Sequence, residues 1–319
     1  MLNTPVLFLI FNRPDATQRV FEAVRRVQPR QLFIAADGPR AGRPEEADKC
    51  RQAREIALYV DWECEVKTLF REHNLGCGQA VSSAITWFFN QVAEGIILED
   101  DTEPNPSFFR YCEEVLQYHR HHPQVMHIGG TNLQFGKKRG KATYYFSNLP
   151  HIWGWATWRR AWEQYDERMV SYTPALAEEL VAHRAGSQAE KNFWLNAFAE
   201  VKAKRLDTWD HQWVFAIWKA GGVSIIPNTN LITNIGFGHG ATHTTYSESR
   251  LANLPSHALD TIVHADSIAV DRNADLFEFE QVSKEYTQWT NQLRNVAYRF
   301  LPDTVLTSVK AIRKSLRKP

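Results

Sequence analysis

Residues 95–111 read GIILEDDTEPNPSFFRY, and the order of residue types in that stretch decides the fold. Residues 95–98 form a short apolar run that suits a strand buried on both faces. Three carboxylates, Glu99, Asp100 and Asp101, stand at its end, and Pro104-Asn105-Pro106 breaks the chain before a helix predicted over 107–120. Upstream, the Gly76-Cys77-Gly78 turn leads into a helix over 79–89, preceded by a strand over 65–70 and a helix over 45–59. A strand over 32–36 ends at the Asp37-Gly38-Pro39 turn. The first strand, 6–11, runs into Asn12-Arg13-Pro14-Asp15, which reads as a helix start with Asn12 as cap, Pro14 in the first turn and Asp15 favoured by the dipole. Strand and helix alternate throughout, which predicts a mostly parallel sheet covered by helices.

Beyond a strand over 125–128 the pattern becomes irregular, with a Gly/Lys-rich loop over 136–141, helices near 173–185 and 191–204, and a strand pair before residue 235. No internal repeat or low-complexity tract is present. With 319 residues and 44% apolar content the chain is large enough for a substantial core. Its 37 basic and 36 acidic residues leave a net charge of +1, so no global field points to nucleic acid. The opening MLNTPVLFLIFNRP lacks a basic leader, and its apolar run is too short for a signal peptide or a membrane span. Cys50, Cys64, Cys77 and Cys112 form no CxxC pair, and they are read as free thiols of a cytoplasmic protein.

Three adjacent carboxylates at a buried strand end repel one another and lose hydration, a cost that a divalent cation offsets. Mg²⁺ and Mn²⁺ favour oxygen ligands and take one or two protein carboxylates, completing their shell with water and diphosphate oxygens. The ends of strands are also where ligands of open α/β sheets bind.

Together these segments resemble the GT-A glycosyltransferases, and most closely N-acetylglucosaminyltransferase I and its bacterial relatives, over residues 5–244. The resemblance implies an α/β GT-A fold, a Rossmann-like, mostly parallel sheet flanked by helices. It implies Asn12 and Arg13 on the donor side, with Arg13 at the phosphates, Asp37 at the uracil ring, and Glu99 and Asp100 at the ribose and sugar. Asp101 is then the ligand of Mn²⁺ or Mg²⁺. The family's histidine near the nucleotide has no counterpart, since Gly78 or Gln79 stands at that point. Residues 149–162, LPHIWGWATWRRAW, resemble the family's Gly-Trp segment and imply Trp153 and Trp155 beside the acceptor. Residues 206–213, LDTWDHQW, resemble the segment that carries the catalytic base, which falls on Asp210; Asp207 and His211 are alternative bases. Residues 235–244, IGFGHGATHT, suit a loop that orders over the donor, with His239 or His243 as a further metal ligand.

The implied division is a nucleotide-sugar-binding half over 1–130, an acceptor-binding and catalytic half over 131–265, and a helical extension over 266–319. The implied reaction moves a sugar from a UDP-sugar to a hydroxyl of a saccharide or lipid-linked saccharide, with inversion. Two other readings stay open. A sugar nucleotidyltransferase would carry a Gly-rich basic loop after the first strand, which IFNRPDAT at 10–17 lacks; a non-catalytic carbohydrate-binding protein would need only the sheet and aromatic side chains. Eight of the eleven tryptophans fall between Trp153 and Trp218, where they either stack on sugars or fill a core. His119-Arg120-His121-His122 reads as a solvated helix end. From Arg294 onward seven basic residues face one acid, Asp303, around an apolar stripe of Val305, Val309, Ile312 and Leu316. Residues 303–319 are therefore expected either to pack on the domain or to rest on the inner face of an anionic membrane.

Overall fold

The computed structural model describes residues 1–237 and 249–285. Val6–Ile10 (β1), Gln31–Ala36 (β2), Glu65–Phe70 (β3) and Glu94–Glu99 (β4) alternate with Pro14–Val27 (α1), Pro44–Leu58 (α2) and Cys77–Phe89 (α3). Thr102–Pro104 (β5), Pro106–His119 (α4), Val125–Gly129 (β6) and Tyr144–Ser147 (β7) follow. Next come Trp155–Trp158 (β8), Arg159–Trp162 (α5), Pro174–Arg184 (α6), Gln188–Lys202 (α7), Asp210–Lys219 (α8), Val223–Pro227 (β9) and Ile232–Asn234 (β10). Residues 272–285 are also helical.

One eight-stranded sheet runs in the order β3-β2-β1-β4-β8-β6-β9-β7. Parallel pairing joins β3, β2, β1 and β4, and also β6 and β9. Only β8, wedged between β4 and β6, and β7 at the edge run the other way. The fold is thus the expected α/β class, a Rossmann-like, mostly parallel sheet flanked by helices. The chain builds outward from β1 to β3 and then returns to place β4 on the other side of β1. That reversal opens a crevice at the carboxyl ends of β1 and β4, where such sheets bind ligands.

The apolar strands are buried on both faces, which is why their sequence shows no alternation. Leu7, Leu9 and Ile97 pack into one core with α3 and α8, while Val6, Phe8, Ile10, Ile96 and Leu98 pack into the other with α1 and α4. The start of α1 differs from expectation: its cap position is Arg13, with no side-chain capping bond, and Asn12 lies outside the helix. Pro14 sets the boundary, because its fixed φ and missing N–H suit the first helical position.

The tryptophan cluster is core. Trp155, Trp209, Trp213 and Trp218 are fully buried, and Trp158, Trp162 and Trp194 nearly so. The four cysteines are free. No helix among the described residues is long and apolar enough to cross a membrane.

His119 corrects the reading of its run as a solvated helix end, for it is buried under β7 and residue 264. His119 Nε2 lies 2.8 Å from the Tyr144 hydroxyl, which in turn lies 2.9 Å from His264 Nδ1. Burial, with His122 and His264 adding to it, pushes the His119 imidazole down to about 4. A base depressed from its ordinary 6.5 gives stability that is intact above pH 6.5 and drains as pH falls toward 4. Acid destabilisation from this group is expected to reach at most about 3 kcal/mol. Urea midpoints measured from pH 7 to 4 should fall, and the fall should flatten in His119→Gln.

Candidate active site

The site assembles at the β1/β4 crevice. Asp100 ties the two strand ends together, its Oδ2 accepting the Phe11 N–H at 3.1 Å and its Oδ1 the Arg13 guanidinium at 3.3 Å. Arg13 also pairs with Asp101 Oδ2. Both bonds are made by Nη1; Nε and Nη2 make none among the described residues. The Glu99 carboxylate has no hydrogen-bond partner among the described residues, while its main chain is fixed by the Thr102 hydroxyl at 2.9 and 3.0 Å. Burial raises the Glu99 carboxyl well above the ordinary range, reinforced by Asp101 and Asp100. Burial likewise raises Asp100, against the pull of Arg13. Three carboxylates therefore share one guanidinium.

Asp210 comes to the same place from the other half of the chain. It opens α8, and its charge acts on both Glu99 and the Cys77 thiol. Its Oδ1 accepts the Thr208 hydroxyl and, at 2.7 Å, the His211 N–H; its Oδ2 has no partner among the described residues. The flanking Trp209 and Trp213 point into the core. Cys77, read in sequence as part of a turn and as a free thiol, lies within reach of the charges of this group. Burial and the charges of Glu99, Asp207, Asp210 and Asp101 push its thiol up to about 12, so it stays protonated and is a poor nucleophile at neutral pH.

Asp37 lies at the end of β2, but its carboxylate is occupied. It accepts N–H groups of Gly38 at 3.0 Å and Leu75 at 3.1 Å, and the Asn74 amide at 2.8 Å. Asp207 is occupied too, by the N–H groups of Cys77 at 3.1 Å and Gly78 at 2.9 Å. His211 packs edge-on against Phe193 and Trp194. Trp153 is half-buried and meets Phe237 edge to face, with ring centroids 5.6 Å apart. Trp155, expected beside the acceptor, instead has no accessible surface: it pairs with Ile97 in the sheet, its indole stacked against His127 and Trp209. It therefore offers no face to an acceptor.

The short ribbon of β5 and β10 brings the start of the glycine-rich segment to the triplet. The Ile235 N–H bonds the Asp101 carbonyl at 2.8 Å, and a Cβ on Gly236 would collide with the Asp101 carboxylate. Only glycine fits against that carboxylate. His239 and His243 lie outside the described residues, as do residues 303–319. No group of three or more His, Cys, Asp or Glu side chains among the described residues is arranged to hold a metal by itself. The donors on offer, Asp101 Oδ1 and the Glu99 carboxylate, are hard oxygens that make no hydrogen bond among the described residues. They fit Mg²⁺ or Mn²⁺ that draws its other ligands from water and a diphosphate.

No family model matches the chain, and no curated protein does. Among solved structures, HddC from Yersinia pseudotuberculosis overlaps 51% of this chain and 80% of its own at 10% identity, with a TM-score of 0.31. UDP-glucose pyrophosphorylase complexed with UDP-glucose overlaps 51% and 79% at 10% identity, with a TM-score of 0.32. Likeness this slight carries no argument about activity, and the reading of the site rests on its own residues.

Proposed function

We propose that this chain is a metal-dependent glycosyltransferase that moves a sugar from a nucleotide diphosphate donor, a UDP-sugar, to a hydroxyl of a saccharide or lipid-linked saccharide, with inversion. The observation that carries the reading is that the turn bearing Asp210 is bonded to the turn that opens α3, which puts Asp210, from the other half of the chain, within electrostatic reach of Glu99. Asp101, with Glu99 beside it, would hold Mn²⁺ or Mg²⁺, whose charge stabilises a departing diphosphate. Arg13 keeps Nε and Nη2 for a donor phosphate, since Nη1 alone serves the carboxylates. Asp210 keeps Oδ2 to take the proton of the acceptor hydroxyl. Asp37 serves the donor indirectly, by shaping the turn at Leu75. Trp153 beside Phe237 offers an aromatic wall for a sugar face.

A nucleotidyltransferase is less well supported, because β1 and α1 are joined by only Phe11, Asn12 and Arg13, with no glycine-rich loop to cradle a triphosphate. A panel of nucleotide sugars with Mn²⁺ and mono- and oligosaccharide acceptors, monitored for nucleoside diphosphate release, tests the proposal. Wild type should turn over with at least one donor, and Asp101→Ala should lose at least about tenfold in Mn²⁺ affinity. Pyrophosphate release from a nucleoside triphosphate and a sugar 1-phosphate, without diphosphate release from any nucleotide sugar, would show a nucleotidyltransferase instead.

A further inference from the structure

The turn between β3 and α3 is gripped by a carboxylate from each side of the site. Asp37 holds Asn74 and Leu75 from the β2 end. Asp207 holds Cys77 and Gly78 from the approach to α8, its Oδ2 taking one N–H and its Oδ1 the other. The approach needs glycine on both flanks of Cys77. A Cβ on Gly76 would stand 2.8 Å from Asp207 Oδ2, and one on Gly78 would stand 2.7 Å from Oδ1 and 2.9 Å from the Thr208 carbonyl oxygen.

From Asp207 the link continues to the reacting side chain. Thr208 donates its hydroxyl to Asp210 Oδ1, and its carbonyl accepts the Gln212 amide at 2.7 Å, closing the turn onto α8. The cap residue of the helix, Trp209, makes no side-chain capping bond, and the remaining local hold on the Asp210 carboxylate is the His211 N–H. Asp207 itself is exposed on the surface, yet it is bonded to residues about 130 positions earlier in the chain.

We propose that Asp207 is a positioning residue for sugar transfer: by clamping the N–H groups of Cys77 and Gly78 it fixes the 207–210 turn and aims the Asp210 carboxylate at the strand-end triplet. The inference rests on the transferase reading above. It separates Asp207 from the role of base, since both of its oxygens already accept N–H groups. A base works only within hydrogen-bond reach of its proton, and a displacement of about 1 Å can cost about a hundredfold in rate.

A double-mutant cycle tests it. Asp207→Asn preserves size but offers one acceptor oxygen to two N–H groups. It should lower kcat about ten- to hundredfold with donor KM within about threefold, because Arg13 and Asp101 are untouched. In an Asp210→Asn background the same change should cost less than about threefold more, since nothing remains to be aimed. Amide exchange at Cys77 and Gly78 should quicken while β1 and β4 keep their protection, which certifies the fold. Thr208→Val cuts the same link one residue on and should repeat the pattern if Asp207→Asn does not fold. Equal losses in both backgrounds would overturn the inference and leave the transferase reading in place. Absence of wild-type turnover with any donor would overturn that reading, and this inference with it.

Discussion

Asp210→Asn is expected to lower kcat for sugar transfer by about 10²–10⁴-fold, the range over which a positioned general base contributes. Asn is nearly the same size and its carbonyl oxygen still accepts the Thr208 hydroxyl, so α8 should start where it does now. What disappears is the oxygen able to carry a proton. Donor binding should hold within about threefold, because Arg13 and Asp101 belong to different strand ends. Stopped assays of nucleotide release, paired with a direct binding measurement for the nucleoside diphosphate and Mn²⁺, separate the two quantities. A kcat within tenfold of wild type would remove Asp210 from the role of base. Proton NMR of the first-formed product checks inversion independently.

Trp155→Ala should cost about 3–5 kcal/mol of stability, the range for deleting a large aromatic from a packed core. At the size of this chain that corresponds to a Tm lower by about 4–8 °C. The indole is stacked on Trp209 at a centroid distance of 5.6 Å and on His127 at 4.9 Å, and it lies near Trp162 and Trp213. Alanine would leave a cavity in the core packed on one face of the sheet, among Trp162, Trp209 and Trp213. Trp155→Phe should be far milder, at less than about 1.5 kcal/mol, since the ring is largely conserved. The indole N–H, moreover, has no partner among the described residues to lose. Calorimetry on the two variants checks this. An unchanged Tm for Trp155→Ala, with a raised acceptor KM, would return Trp155 to the acceptor site.

The contrast between those two residues shows what the sequence could reveal. The units from β1 to β4 were legible because β1, β2 and β4 are apolar runs buried on both faces, while the edge strand β3 stands out by its place between two helices, and each connection is short. The triplet's place at a strand end followed from that pattern. β8 was not legible. Four residues long, with Trp155 facing one core and Ala156 and Trp158 the other, it presents no polar face to alternate against. α8 was missed for the same reason, since residues from Gln212 to Trp218 are buried all round and leave no amphipathic stripe. Asp207 was visible as an acid near the base. Its partner, a glycine-flanked turn about 130 residues earlier, could be joined to it only by the fold.

The placement of β8 also bears on how the chain must be made. β4 is flanked by β1 and β8, and β6 by β8 and β9, so the middle of the sheet waits for residues 155–158 to emerge. Until then a nascent chain carrying the whole carboxylate triplet holds an unpaired, apolar strand edge, a template for pairing with a neighbouring chain. The first 130 residues, although they contain β1 to β4, are therefore expected to aggregate when expressed alone. Any split or permuted form has to keep β8 with β4, which places workable breakpoints in the connections outside that pair.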